Sequence, residues 1–266
     1  MADNIVELLT DVADAIREKK GSNEPINAQN FANEIKNLPS GGGSGFNFDG
    51  EVADTTIVAK NNFKSVRIAD GVTQVNNGLF GTNTNLVSVF FSKSVKTIQQ
   101  SAFEACPNLE ILEVDAENPT LESVGNCVIG RTDKKLYLGC KNSVIPQDCI
   151  RIEQAAFSGS GIVEVEIPSS VSYLGLYAFS ACKSLVRVTF FGSAKIEAYC
   201  FFNCSTLLYD FRSVTQVPAI SGSNSFQNML PNCKIVVPDA LYDEWISATN
   251  WASFADKIIK ASDYTE

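Results

Sequence analysis

Apolar and polar residues alternate along this chain in units that repeat every 22 or 23 residues. Phe80, Phe103, Phe157, Phe179 and Phe201 follow this spacing apart from one interval of 54 residues, and each lies in a turn after a short apolar strand. A repeat of this length predicts a solenoid, because one unit buries its apolar face only when neighbours stack on it. We therefore expect one elongated α/β repeat solenoid of short strands and turns.

The alternation within a unit predicts which strand residues face the core. Leu112, Val114, Val165 and Ile167 are expected to point inward, so that their neighbours point outward. The outward positions are the candidate binding residues: Arg67, Phe90, Ile111, Glu113, Glu164, Glu166, Arg187 and Thr189. Phe90 and Ile111 are predicted to form an apolar interaction patch. A slip of one residue within Phe90–Phe91 would instead make Phe90 part of the core.

Segments of different composition flank the repeats and interrupt them once. The predicted organisation is a helical head at 1–39 for assembly or oligomerisation, a Gly/Ser linker at 40–45, the solenoid at 46–237 and a helical cap at 238–266. The long interval contains two apolar runs around a polar turn, which predicts a hairpin inserted near 118–146.

The closing segment is predicted to be a helix that seals the end of the solenoid. Asp239 is a suitable N-cap, and Leu241, Trp245, Ala248 and Ile258 supply apolar contacts, with a break near Asn250. We expect Trp245 and Trp251 to be packing residues, because the last unit of a solenoid must be covered.

Charge and composition exclude several functions. The formal net charge is -9 and the pI is about 4.7, so that binding to nucleic acid or to an anionic membrane is not expected. The chain has no histidine, which excludes Ser-His-Asp and Cys-His nucleophiles and HExxH zinc sites, and we expect no cofactor and no metal. The first twenty residues lack the pattern of a secretory signal, which predicts synthesis in the cytoplasm without a signal peptide.

The eight cysteines fit buried positions of the repeat. Cys106, Cys182 and Cys204 each follow a repeating phenylalanine by three residues, which predicts reduced thiols packed as small apolar side chains. Cys127 and Cys140 flank the predicted hairpin, and a disulfide or metal pair between them is a second interpretation.

Two acid pairs are the remaining candidates for chemistry. Glu164 with Glu166, and Glu110 with Glu113, could act as a glycosidase pair if their separation were suitable. They are predicted to lie on open strand faces, where carboxylates are ordinarily solvated. The sequence therefore favours a non-enzymatic protein.

The repeat resembles a known family. The pattern L-x-x-h-x-h-P-x-x-V-x-x-h-G-x-x-A-F-x-x-C is filled most fully by residues 162–182, and GNCVIG and LGCKNSVIP surround the hairpin. These features resemble the BspA-like leucine-rich repeats of bacterial and bacteriophage proteins. The resemblance implies a leucine-rich repeat solenoid that mediates adhesion to host proteins, other bacteria or surface polymers.

The head carries a second resemblance. VADAIREKKG followed by EPINAQNFANEIKNLPSGG is similar to a short module near the start of tail proteins of phages of Gram-positive bacteria. This implies a tail-associated virion appendage that binds a protein or glycan on a bacterial surface and attaches to the virion or to itself through residues 4–38. Its location would be the virion, or the extracellular space after lysis. The alternative is a bacterial cell-surface or intracellular leucine-rich repeat interaction protein.

Overall fold

A computed structural model describes residues 50–53 and 63–265 of the chain. All of these residues belong to one compact unit, residues 48–266. The predicted helical head at 1–39 and the linker at 40–45 lie outside the described residues.

Short strands, almost all parallel to their neighbours, make up most of the described chain. They are β1 (Gly50–Val52), β2 (Ser65–Ile68), β3 (Gln74–Val75), β4 (Ser88–Phe91), β5 (Thr97–Ile98), β6 (Ile111–Val114), β7 (Leu121–Val124), β8 (Cys127–Gly130), β9 (Lys135–Leu138), β10 (Arg151–Ile152), β11 (Glu164–Ile167), β12 (Tyr173–Leu174), β13 (Arg187–Phe190), β14 (Lys195–Ile196), β15 (Leu208–Asp210), β16 (Lys234–Val237) and β17 (Ile258–Lys260).

The strands that open each repeat form two parallel sheets. The first sheet has the order β1-β2-β4-β6, and the last sheet has the order β11-β13-β15-β16-β17. Four of these strands, β2, β6, β11 and β13, alternate buried and more exposed residues, as the period of two requires when one face of a sheet covers the core. The second strands of the repeats are shorter and form a β3-β5 pair and a mixed sheet with the order β14-β12-β10-β9-β8-β7.

A ladder of phenylalanine rings fills the core beneath the turns. Phe179 stacks on Phe157 with ring centroids 4.8 Å apart and on Phe201 with centroids 5.3 Å apart. The turns are also joined by backbone hydrogen bonds, such as the one that Phe179 N–H donates to Cys200 C=O at 2.8 Å. The repeating phenylalanines are therefore the stacking units of the solenoid.

The cysteines three residues after these phenylalanines bind the neighbouring repeat. Cys182 donates its thiol to the carbonyl oxygen of Phe157 at 3.0 Å, and Cys204 donates to Phe179 C=O at the same distance. Each thiol is thus both a buried apolar group and a weak hydrogen-bond donor that links successive turns.

The 54-residue interval leaves the row of turns uninterrupted. Ala105 N–H donates to Ser158 C=O at 3.0 Å, so the turn of Phe103 stacks directly on the turn of Phe157. Gly159 has φ +66° and lies so close that a Cβ atom there would be 2.6 Å from the Cα of Ala105. Only glycine satisfies both conditions. In the intervening residues, β7, β8 and β9 pair antiparallel, and β9 then pairs with β10 in parallel.

The insertion ends the first sheet at β6. Asn126, in the β7–β8 turn with φ 59°, accepts a hydrogen bond from Leu112 N–H at 2.8 Å through Oδ1 and donates from Nδ2 to Glu110 C=O. Ser123 Oγ accepts from Val114 N–H at 3.2 Å. These side chains form the hydrogen bonds with the backbone of β6 that the strand of the next repeat would otherwise form. The two sheets are consequently separate.

The C-terminal segment differs from the predicted closing helix. Its one α-helix within the described residues, α1, spans only Tyr242–Ser247, and 3₁₀ turns surround it. Ile258, predicted on the helix, begins β17, which pairs with β16 and extends the last sheet. Trp245 and Trp251 are buried and pack on Phe211, and Trp251 Nε1–H donates to Pro218 C=O at 2.6 Å. The solenoid is sealed by two tryptophans and an added strand.

Among the described residues, none of the helices has the length and apolar content that a membrane span requires.

Candidate functional site

The eight predicted binding residues fall on two different sheets. Arg67, Phe90, Ile111 and Glu113 lie on the first sheet, whereas Glu164, Glu166, Arg187 and Thr189 lie on the last sheet. Because Asn126 and Ser123 end the first sheet, the eight residues do not form a single row.

The predicted apolar patch of Phe90 and Ile111 does not form. Phe90 lies opposite Arg67 and Glu113 in the strand register, while Ile111 lies opposite Ser88. The Arg67 guanidinium covers the Phe90 ring at 4.7 Å from its centroid, and Phe90 is only 4% exposed. Phe90 therefore lies on the outward side of its strand but is buried by its neighbours.

The four residues of the last sheet line one groove. In the register, Glu164 lies beside Arg187, and Glu166 lies beside Thr189, which in turn lies beside Asp210. The segment 143–147 of the insertion forms the opposite wall, and the space between has a volume of about 630 Å³. We call this space the last-sheet groove. It brings acidic and basic side chains together with exposed apolar ones.

The apolar part of the last-sheet groove comes from two residues outside the predicted set. Val144 is 70% exposed on the insertion wall, and Phe191, directly after β13, is 42% exposed. Exposed apolar side chains beside charged ones are typical of protein interaction surfaces, where they supply buried area on binding.

Asp210 organises the charged part of the groove. Its carboxylate accepts hydrogen bonds from Arg212 Nη2 at 2.7 Å and from Arg187 Nη2 at 3.4 Å, and its side chain is only 6% exposed. Burial favours the neutral acid, but the hydrogen bonds and charge of Arg212, with a contribution from Arg187, outweigh it and lower the pKa of Asp210. Asp210 thus remains ionised and holds both guanidinium groups in place.

Replacing Asp210 by asparagine is expected to lower the free energy of unfolding by about 2 kcal/mol at neutral pH, because charge-assisted hydrogen bonds are lost. The pKa of Asp210 is lowered in the folded protein. The stabilisation that its carboxylate contributes is therefore present above the ordinary aspartate pKa of about 3.9, and it is lost as the pH falls through the folded pKa. Urea unfolding at a series of pH values should show the difference between wild type and D210N shrinking in acid. The exposed Asp256→Asn is the matched control, and a pH-independent difference would contradict the prediction.

Sequence similarity identifies the repeats. Residues 53–128 and 134–243 match the BspA type leucine-rich repeat region in six copies, which together cover more than half of the chain. The chain belongs to the BspA-type leucine-rich repeat family. No curated protein sequence matches it.

Several solved structures are similar to the chain. A leucine-rich cell surface protein from Faecalibacterium prausnitzii A2-165 is 20% identical over 66% of this chain and 54% of its own, with a TM-score of 0.46. The pneumococcal vaccine antigen PcpA is 12% identical over 74% of this chain and 66% of its own, with a TM-score of 0.42. The BspA-type chain thus spans about half of the first protein and just under two thirds of the second.

The cysteines of this BspA-type solenoid are packing residues of its core. All eight are free and buried, including Cys127 and Cys140, so that the alternative of a disulfide between those two is wrong. Burial raises the pKa of Cys127 to about 12, and it does the same for Cys106. No group of three or more metal-binding side chains occurs in the described part of the chain.

The family match agrees with a binding protein. Leucine-rich repeat proteins are generally non-enzymatic binding proteins. The acid pairs have other surroundings: Glu110 binds Lys141 at 2.6 Å, and Glu164 and Glu166 are both exposed on β11.

Of the groove residues that were not predicted, Asp210 could have been found by continuing the register from Thr189. Val144 could not, because it lies in the insertion and has no equivalent in other repeats.

Proposed function

We propose that this chain is a non-enzymatic adhesion protein that binds a protein or glycan on a bacterial surface through the last-sheet groove. The observation that carries the proposal is the joining of Val144 and Phe191 with the charged row of Glu166, Arg187 and Asp210 in one groove. Ionic side chains held by a buried carboxylate provide fixed orientation, and the exposed apolar side chains provide area.

We further propose that the protein acts as a tail-associated appendage of a phage virion. The similarity of residues 12–42 to a module of phage tail proteins supports this setting, with residues 4–38 attaching the protein to the virion or to another copy of itself. The Gly/Ser segment at 40–45 would give the solenoid reach, and repeated copies would raise avidity. The protein would then be found on the virion, or outside the cell after lysis.

The alternative is a bacterial cell-surface or intracellular interaction protein of the same family. The family match itself supports this alternative, since it covers the solenoid and is silent about the virion. Immunogold labelling distinguishes the two settings: gold on phage tails supports the appendage, and gold confined to the producing bacterium supports the alternative.

Binding of the fluorescent full-length chain to whole Gram-positive cells tests the adhesion function. We expect saturable binding that is lost by the double variant Glu166→Lys and Val144→Asp, because it reverses a charge and places another in the apolar part of the groove. Glu244→Lys, which reverses an exposed charge on α1, is the matched control. Protease-treated and wall-stripped cells show whether a protein or a glycan is bound. Equal binding by the double variant and the wild type would refute the assignment of the groove.

A further inference from the structure

A second groove lies where the β3-β5 pair and the mixed sheet fail to join. Asn77, Gln99 and Gln100 line one side, and Tyr137, Glu153 and Gln154 line the other, around a volume of about 420 Å³. We call it the amide groove. It arises because β9, a strand of the insertion, pairs with β8 and β10 and leaves one edge of β5 open.

At the open edge of β5, one backbone carbonyl lacks the hydrogen bond that the next repeat provides elsewhere in the solenoid. At the equivalent position of other repeats, the carbonyl oxygen receives a backbone N–H from the next unit: Val75 from Gln99, Ile152 from Gly175, and Leu174 from Glu197. Within the residues that the structure describes, no such donor reaches Ile98 C=O, and Ile98 lines the amide groove. Since backbone carbonyls require a partner, this oxygen is available to a hydroxyl donor.

Two side-chain amides in the groove are held by their oxygen ends, and no acceptor among the described residues binds their NH₂ groups. Asn77 Oδ1 accepts from Ser101 N–H at 2.9 Å, and Gln99 Oε1 accepts from Asn77 N–H at 2.9 Å. Because the backbone N–H groups are donors, they fix the oxygen end of each amide. The two NH₂ groups are therefore the ends left for a ligand.

The opposite side supplies an aromatic ring and an acceptor. Tyr137 donates its hydroxyl to Asp133 at 2.6 Å, which fixes the ring orientation. Arg151 Nε binds Glu153 Oε1 at 2.9 Å, and its guanidinium stacks on Tyr173 at 3.8 Å from the ring centroid. The Glu153 carboxylate is thus oriented by a neighbour and retains its second oxygen as an acceptor.

From these groups we infer that the amide groove is a binding site for a neutral saccharide, distinct from the last-sheet groove. Sugar hydroxyls both donate and accept, which matches a carbonyl, a carboxylate oxygen and two NH₂ groups around one aromatic ring. The lining residues, all within the described ranges, include no basic side chain, so that an anionic polymer has no counter-charge there. Strand addition by a peptide is disfavoured because β5 has only two residues.

Ligand-observed NMR with the full-length chain tests the inference. The probes are glucose, galactose, mannose, N-acetylglucosamine, maltotriose, cellotriose and chitotriose, each at millimolar concentration. We expect saturable transfer to at least one of them. The double variant Gln100→Ala and Gln154→Ala should weaken that binding by about tenfold, since two further side-chain amides that line the groove are removed.

Two further variants separate the groove from other effects. Thr97→Trp fills the groove from an exposed position and should abolish saccharide binding without changing the melting temperature. Gln216→Ala, at an exposed position outside the groove, is the matched control. The Glu166→Lys and Val144→Asp variant should keep saccharide binding, so that failure of the adhesion proposal leaves this one intact. Absence of transfer with every probe, or transfer unaffected by Thr97→Trp, would overturn the inference.

Discussion

Replacing Phe179 by alanine is expected to lower the free energy of unfolding by about 4 kcal/mol. The side chain has no exposed surface, and its ring lies between those of Phe157 and Phe201 with interplanar angles of 12° and 7°. Removing the ring leaves a cavity and ends two stacking contacts at once. Because each repeat is stable only through its neighbours, the loss affects both interfaces of the unit.

Urea unfolding followed by circular dichroism measures the effect. Phe191→Ala is the matched control, because Phe191 is 42% exposed on the following repeat and its truncation is expected to cost less than about 1 kcal/mol. Phe179→Leu keeps most of the apolar volume and should cost about 1–2 kcal/mol, which provides a folded variant if the alanine variant is too unstable. Similar losses for Phe179→Ala and Phe191→Ala would show that the ring ladder does not carry the stability.

The ladder itself was predictable from the sequence because it depends on a repeated local pattern. Phe157, Phe179 and Phe201 occupy one slot of successive units, and the thiols of Cys182 and Cys204 occupy another. Identical neighbours stacked in register place identical residues in contact, so that the spacing alone determines which side chains meet. The repeat fold is accordingly confirmed by the family match.

The candidate site was less predictable because it depends on contacts that do not repeat. Alternation placed Phe90 on the outward side of β4, but the Arg67 guanidinium above the ring determines its burial. The wall of the last-sheet groove comes from Val144 in the insertion, and the opening of the amide groove comes from β9 of the same insertion, which pairs with β8 and β10 and not with β5. One irregular segment thus shapes both grooves.

The insertion in turn depends on Asn126. Its replacement is expected to cause the second large loss in the free energy of unfolding. Its carboxamide replaces a peptide group at the edge of β6, since Oδ1 accepts from Leu112 N–H and Nδ2 donates to Glu110 C=O. Asn126→Ala leaves both backbone groups without partners and places alanine at φ 59°, where a Cβ atom is unfavourable. The expected loss is about 3 kcal/mol.

Asn126→Gly separates the two contributions. Glycine accepts the positive φ but provides no carboxamide, so its expected loss is about 2 kcal/mol, smaller than that of alanine. Asn142→Ala, at an exposed position near the same hairpin, is the control and should change little.

Amide hydrogen exchange locates the effect. The Leu112 amide should exchange faster in both Asn126 variants, whereas the amide of Val89 on the neighbouring strand β4 should change only as much as global stability does. An unchanged Leu112 amide would mean that Asn126 does not cap β6. An uncapped β6 would expose an open strand edge, which is the kind of edge to which other chains pair. We therefore expect the variants to self-associate as concentration rises, so that Asn126 protects the solenoid at the point where its two sheets part.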